Sequence, residues 1–305
     1  MKWEKLGCVF RSQGQREWMV SHASVPMPEL VGGSLVRIYF TPRDARNRSH
    51  VAHLIVDLSE PQRVLELCVE PALSPGPLGA FDESGAMFSW LLHHGGRRWL
   101  YYIGWTLGVS VPWRTAIGLA YADVQSRNPV FVRHSSGPLI DRSPADPYFV
   151  TNPCVLVEDG RWRMWYLSGI SWVHDGSRAL PRYDVRYAES ANGIEWRCSG
   201  HVCIPHAHEG EVAIGRPCVL RDGRLYKMWY SYRGDSFGYR IGYAESQDGL
   251  VWTRLDGEAG LERSMQGWDS EMTAYPTVFD HGGRRYMLYC GNDYSRGGFG
   301  LAVAV

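Results

Sequence analysis

A chain of 305 residues with 32 basic and 32 acidic side chains has no charge excess to offer a nucleic acid or an anionic membrane. It is long enough to bury a large core, and its 13 Trp and 17 Tyr suit strands and sugar-stacking surfaces alike. Met1-Lys-Trp-Glu-Lys5 begins no apolar stretch of signal-peptide length, no run is long enough to insert into a bilayer, and the 7 cysteines include no CxxC pair. A cytoplasmic protein with reduced thiols, no metal and no cofactor is expected.

In chain order, Lys2-Trp-Glu-Lys-Leu6 reads as a lone strand resembling Val251-Trp-Thr-Arg-Leu255 far downstream. A module then recurs about every 60 residues. Its first copies end in Arg37-Ile-Tyr-Phe40 and Arg98-Trp-Leu-Tyr-Tyr102. The clearest copies run from Pro153 to Tyr166, from Pro217 to Tyr230 and from Pro276 to Tyr289. Each opens on a short apolar strand such as Cys218-Val-Leu220, turns at Asp159-Gly160 or Asp222-Gly223, and returns through a strand such as Lys227–Tyr232. Third strands follow at Thr115–Ala120, Tyr183–Glu189 and Tyr239–Glu245. The turns Ser190–Gly193 and Ser246–Gly249 lead into fourth strands bearing Trp196 and Trp252.

Four antiparallel strands per module make the blade of a β-propeller. The last module stops after its third strand, Gly298–Val305, so residues 2–10 are expected to supply the outer strand of blade five and leave no edge unpaired. The expected fold is all-β, one five-bladed propeller over residues 1–305. Cys154 and Cys218 hold the same place in successive modules and read as small core fillers. Nothing in the repeat specifies an oligomeric state.

Carboxylates stand just upstream of each inner strand: Asp82 and Glu83, Asp146, Glu209 and Glu211, Asp269 and Glu271, with His22 in the first module. Equivalent positions on successive blades are expected to converge on the axis. Glycoside cleavage needs a protonated acid and an ionised carboxylate facing each other across a sugar, and such a ring could present them.

Phe81-Asp82-Glu83, Ala145-Asp146-Pro147-Tyr148 and Glu209-Gly-Glu211 on consecutive blades resemble the acid set of the five-bladed glycoside hydrolases of families 32, 43, 62 and 68; the layout is also similar to the mannoside phosphorylases of family 130. The resemblance implies Asp82 as nucleophile or base, Asp146 as stabiliser and Glu211 as acid. The set begins one blade later here than in those families, and Ala145 replaces the arginine of their Arg-Asp-Pro motif. Gly267–Met272 and Tyr230–Gly234 are similar to a propeller group associated with bacterial surface glycans. Expected substrate contacts are His22, Arg43, Arg48, Glu83, Trp105, Asn152, Trp172, Arg216, Arg233, Asp269, Glu271 and Tyr275.

Three readings follow. The first is a glycosidase or transglycosidase acting on a carbohydrate or glycoconjugate. The second is a phosphorylase whose Arg43–Arg48 loop holds phosphate. The third is a non-catalytic glycan- or protein-binding propeller, favoured if Asp82, Asp146 and Glu211 are all locked to arginines with no open funnel.

Overall fold

The computed structural model describes residues 1–305, and its strands fall into antiparallel sets of four. After β1 (Trp3–Phe10) comes a first set, β2 (Ser21–Gly32), β3 (Leu35–Arg43), β4 (Ala52–Asp57) and β5 (Val64–Leu67). The second is β6 (Gly85–His94), β7 (Arg97–Leu107), β8 (Trp113–Asp123) and β9 (Val132–Arg133). The third is β10 (Val150–Glu158), β11 (Arg161–Asp175), β12 (Arg178–Ser190) and β13 (Trp196–Ile204). The fourth is β14 (Glu211–Asp222), β15 (Leu225–Gly234), β16 (Arg240–Ser246) and β17 (Thr253–Arg254), joined to the third by a single parallel bridge, Tyr183 to Ala213. The last is β18 (Ala274–His281), β19 (Arg284–Cys290) and β20 (Phe299–Ala304), which take β1 as their fourth strand. No helix is long and apolar enough to cross a membrane.

Local chemistry explains the hairpins. Asp159 and Gly160 adopt φ of 50° and 75° in the β10–β11 turn, and Gly282 and Gly283 adopt 57° and 73° in the β18–β19 turn. Paired left-handed residues match the twist of the flanking strands, which is why Asp-Gly and Gly-Gly stand there. The second strand of a set is covered on both faces, so it reads as an unbroken apolar run: Tyr286 to Cys290 are all buried. Trp165 and Trp229 are completely buried.

The Ser-x-x-Gly turns join neighbouring sets. The Gly249 carbonyl accepts a hydrogen bond from Trp252 of its own set at 3.1 Å and from Trp165 of the preceding set at 2.8 Å. The Gly193 carbonyl likewise accepts from Trp196 at 3.1 Å and Tyr101 at 2.7 Å. Gly193 has φ of 75°, and a Cβ there would sit 2.6 Å from the Trp162 ring. The carbonyl of the repeated turn glycine is therefore the inter-set latch, shared between the tryptophan of its own set and an aromatic donor of the preceding one.

Neighbouring sets bond sideways in a circuit, four of its five links between opening strands. Ser89 Oγ donates to the Pro153 carbonyl (3.1 Å), and Val219 N–H donates to Cys154 Sγ (3.3 Å). Val278 N–H donates to Cys218 Sγ (3.2 Å), Thr277 Oγ1 donates to the Pro26 carbonyl (2.7 Å), and Phe88 N–H donates to Thr41 Oγ1 of β3, the second strand of the first set (2.8 Å). The circuit returns to its start, so β2, β6, β10, β14 and β18 surround a common axis. Cys154 and Cys218 are buried free thiols serving as acceptors within it.

Candidate functional site

Every strand on the axis carries one extra residue at the same level. Between Thr151 and Cys154 the strand β10 advances three residues while its partner, from Leu167 to Trp165, advances two. The same shift occurs between Gly215 and Cys218, Ala274 and Thr277, Ser24 and Met27, and Phe88 and Trp90. A bulge of this kind turns a side chain out of the alternation of its strand. In four of the strands the bulge is an X-Pro pair with X left-handed: Val25 (φ 53°), Asn152 (φ 48°), Arg216 (φ 54°) and Tyr275 (φ 55°). A left-handed non-glycine residue costs about 1–3 kcal/mol. Four such residues at one level, all bordering one cavity, mark where the fold holds its strain.

The cavity lies at the end of the axis and encloses about 880 Å³. Trp105, Trp113, Phe149, Tyr183, Tyr239 and Tyr275 supply its aromatic wall. Asn152, Thr151 and Ser231 add hydrogen-bonding groups. Arg233 stands 5.8 Å from the ring centres of both Tyr183 and Tyr239, whose hydroxyls meet, and donates to the Pro181 carbonyl at 3.1 Å. Arg43 lies 5.7 Å from the Trp105 ring and donates to Asn47 Oδ1 at 3.0 Å. Burial pushes the Tyr239 and Tyr275 hydroxyls up, so both stay protonated. Three guanidinium groups, those of Arg43, Arg216 and Arg233, border the cavity against one carboxylate, Asp235. Asp235 itself is exposed and 3.4 Å from Arg182.

The acids expected on the axis lie elsewhere. Asp82, 1% exposed, accepts from the Tyr102 hydroxyl at 3.0 Å and from Arg133 at 2.8 Å. Asp146, 0% exposed, accepts from the Tyr166 hydroxyl at 3.0 Å and from Ser143, with Arg186 at 3.6 Å. Asp269 accepts from the Tyr289 hydroxyl at 3.0 Å and from Lys5 at 2.6 Å. Glu211 accepts from Arg254 at 3.0 Å and from the Ala207 and His208 N–H groups at 3.0 Å each. None of the four borders the cavity. Each is bound instead to a second-strand tyrosine or an outer-strand cation of its own set. The physical reason is the path of the approach loop, which lies across the sheet rather than at its inner edge. Phe81 fills the hollow over Gly104 and Gly118, where a Cβ would come within 2.3 Å and 2.8 Å of its ring, and it carries Asp82 outward; Trp268 does the same over Gly300 for Asp269.

Among the other expected contacts, Arg43, Trp105, Asn152, Arg216, Arg233 and Tyr275 border the cavity. His22, Arg48, Glu83, Trp172 and Glu271 do not. His22 is buried beside Ser21, and burial, with the charges of Arg43 and Arg296, lowers its pKa to about 4. Arg48 pairs with Asp44 at 2.9 Å, and Glu83 accepts from the Gly79 N–H at 2.6 Å. Trp172 packs behind the wall against Trp113, with ring centres 4.9 Å apart, and Glu271 faces solvent.

Sequence reading missed Trp113, Tyr183, Tyr239 and Asp235. It also missed the meaning of the acids, although a signal was present: Asp82–Tyr102, Asp146–Tyr166 and Asp269–Tyr289 are each 20 residues apart. The constant spacing marks a hydrogen bond made within each set, from its second-strand tyrosine to the loop before its first strand.

No family model matches the chain. Over 303 residues it is 42% identical to uncharacterized protein MT1551 of Mycobacterium tuberculosis, covering 99% of each. The chain belongs to that protein's family. Among solved structures, a BT0996 RGII complex superposes with a TM-score of 0.76 at 18% identity, over 98% of this protein and 90% of that one. A thermostable family-43 glycoside hydrolase superposes with a TM-score of 0.67 at 16% identity, over 93% and 89%. The family thus has the fold of the propeller glycoside hydrolases, while the carboxylates of this member are drawn off the axis.

Proposed function

We propose that this chain is a carbohydrate-active propeller, a single domain of five blades over residues 1–305, that seats a glycan or glycoconjugate in its axial cavity. The observation that carries this reading is the cavity itself. It stands at the hub of a glycoside-hydrolase fold and is walled by Trp105, Trp113, Tyr183, Tyr239 and Tyr275, with Asn152 and Ser231 between them. A sugar ring offers C–H faces and a rim of hydroxyls, which aromatic walls and interspersed hydrogen-bonding groups complement.

Hydrolysis by Asp82, Asp146 and Glu211 draws no support from the geometry. Two-carboxylate cleavage needs the pair facing each other across the sugar at roughly 5–5.5 Å or 6.5–9.5 Å. One carboxylate borders this cavity, and the three expected acids are saturated elsewhere. A second reading is favoured by that same count. In phosphorolysis a single acid suffices: it protonates the departing glycosidic oxygen as that oxygen's bond to the anomeric carbon breaks, and a phosphate oxygen bonds to the carbon. Asp235 is the carboxylate on the wall, and Arg43 and Arg233 are cations available to phosphate.

Calorimetric titration of purified protein against neutral and acidic oligosaccharides, with and without phosphate, tests the proposal. Binding is expected in the wild type and about tenfold weaker in Trp105→Ala, roughly the worth of one stacked ring. Release of a sugar phosphate in the presence of phosphate supports the second reading. Absence of binding across the panel overturns the first.

A further inference from the structure

Arg216 is the largest charged side chain sealed inside the protein, with 1% of its surface exposed. It sits at the bulge of β14 in a left-handed conformation and borders the cavity at the axis. Groups from the surrounding sets close around its guanidinium. Thr277 of β18 accepts from Nη2 at 3.0 Å, and the Trp90 ring of β6 lies 5.9 Å away. The thiols of Cys154, Cys218 and Cys290 are its electrostatic neighbours.

None of these is a carboxylate, and Arg216 belongs to no salt bridge with Asp or Glu. Its Nε and Nη1 find no protein acceptor, and the buried Trp90 Nε1 beside it finds none either. Thr277 accepts from Nη2 alone, and its own proton goes to the Pro26 carbonyl. The hub of the propeller is therefore a cluster of buried donors carrying a positive charge, with no counter-charge from the chain. The other buried arginines are treated differently: Arg37 and Arg98 each lie 2.6 Å from the Glu29 carboxylate.

A buried, unpaired guanidinium costs several kcal/mol unless an anion or hydrogen-bond acceptors meet it. Its planar fork suits two oxygens of one oxyanion. We propose that Arg216 forms an oxyanion subsite at the base of the cavity, so the ligand that enters carries a carboxylate or phosphate. This rests on the cavity being the carbohydrate site and narrows the ligand to acidic sugars or sugar phosphates, with free phosphate as the other source of the same chemistry. Arg43 and Arg233, also on the cavity wall, add to the positive potential along the way in.

The test follows tryptophan fluorescence and thermal midpoint while inorganic phosphate, glucuronate and neutral disaccharides are titrated at constant ionic strength. Wild type, Arg216→Met and Thr277→Val are compared. The methionine keeps the unbranched apolar stem of the arginine without the guanidinium, and Thr277→Val keeps the arginine while removing the hydroxyl that accepts from it and donates to Pro26.

Saturable stabilisation by phosphate or glucuronate is expected in the wild type, at least ~10-fold weaker in Arg216→Met and a few-fold weaker in Thr277→Val. Response to phosphate alone identifies a free-anion site, and response to glucuronate alone identifies an acidic sugar; both uphold the subsite. Equal responses in wild type and Arg216→Met, or none in either, overturn it. Neutral sugars bound equally by both proteins, without any anion effect, overturn the subsite and leave the carbohydrate reading standing. Phosphate bound through Arg216 with no sugar bound at all does the reverse. If Arg216→Met does not fold, Thr277→Val decides: an undiminished anion response in that variant overturns the subsite.

Discussion

Lys5 Nζ lies 2.6 Å from Asp269 Oδ2, an ion pair that joins the first strand of the chain to the loop before the last sheet. Asp269 is 2% exposed and also accepts from the Tyr289 hydroxyl. With β1 paired to β20 from Trp3–Ala304 to Phe10–Phe299, the pair fastens the seam where the circuit of sheets closes. Lys5→Met leaves Asp269 buried with one neutral donor. We expect a loss of about 1–3 kcal/mol, read as a lower midpoint in urea with an unchanged slope. Asp269→Asn keeps the tyrosine contact and leaves the Lys5 amine with Ser264 and solvent, so its loss falls at the lower end of that range.

Substitution of the expected catalytic acids acts on stability. Asp82→Ala and Asp146→Ala each remove a buried acceptor from a tyrosine and an arginine, and a loss of about 3 kcal/mol is expected. Ligand affinity of the folded fraction stays within twofold of the wild type. Parallel urea and calorimetric titrations check both halves of this statement. A large fall in affinity or turnover at wild-type stability contradicts it.

The cavity responds in the opposite way. Arg233→Met removes the cation that lies against Tyr183 and Tyr239, and Tyr275→Phe removes a protonated hydroxyl from the wall. Affinity is expected to fall by about 1–3 kcal/mol for the arginine and about 1 kcal/mol for the hydroxyl. Arg63→Met, whose exposed side chain pairs with Glu60 and does not border the cavity, leaves affinity unchanged and serves as the control.

Acid weakens the fold through Glu29, whose buried carboxylate accepts from Arg37, Arg98, His93 and Tyr39. Burial alone raises its pKa, but the hydrogen bonds from His93, Arg98 and Arg37 outweigh burial and hold it at about 2, against an ordinary value of 4.5. The folded protein thus binds this proton less readily than the unfolded chain. Its stabilisation is complete above pH 4.5 and is lost as pH falls toward 2, on the order of 3 kcal/mol in total. His22 and His53, both lowered to about 4 chiefly by burial, subtract stability earlier, as pH falls below 6.5. Denaturation followed from pH 7 to 2 is expected to show both phases, and Glu29→Gln should flatten the lower one.

The repeat was legible because it is written in residues with one local task. Asp159-Gly160 makes a turn, Trp196 and Trp252 each close on the glycine carbonyl of their own turn, and Lys2–Leu6 reads as the missing fourth strand. Distance from the axis was not legible. Strand parity assigns a loop to a face of the sheets, yet Asp82 and Arg216 share a face and differ in radius. What separates them is the hollow over Gly104, which draws Phe81 and Asp82 outward, and the bulge, which turns Arg216 inward. Neither is a property of residue type at one position. The repeat proline did mark the bulge, and the residue before it, Val25, Asn152, Arg216 or Tyr275, was the place to look for function.

Hydrogen–deuterium exchange of the protein with and without a bound oligosaccharide tests most directly whether the axial cavity, rather than the buried acids, is the working site. Protection is expected in peptides covering 150–153, 213–217, 231–239 and 274–276, which carry the bulges and the Arg233–Tyr239 wall. Peptides covering Asp82 and Asp269 should exchange as before. Protection centred on 76–84 and 262–271, with the bulge peptides unchanged, would contradict the assignment and return the acids to the centre of the mechanism.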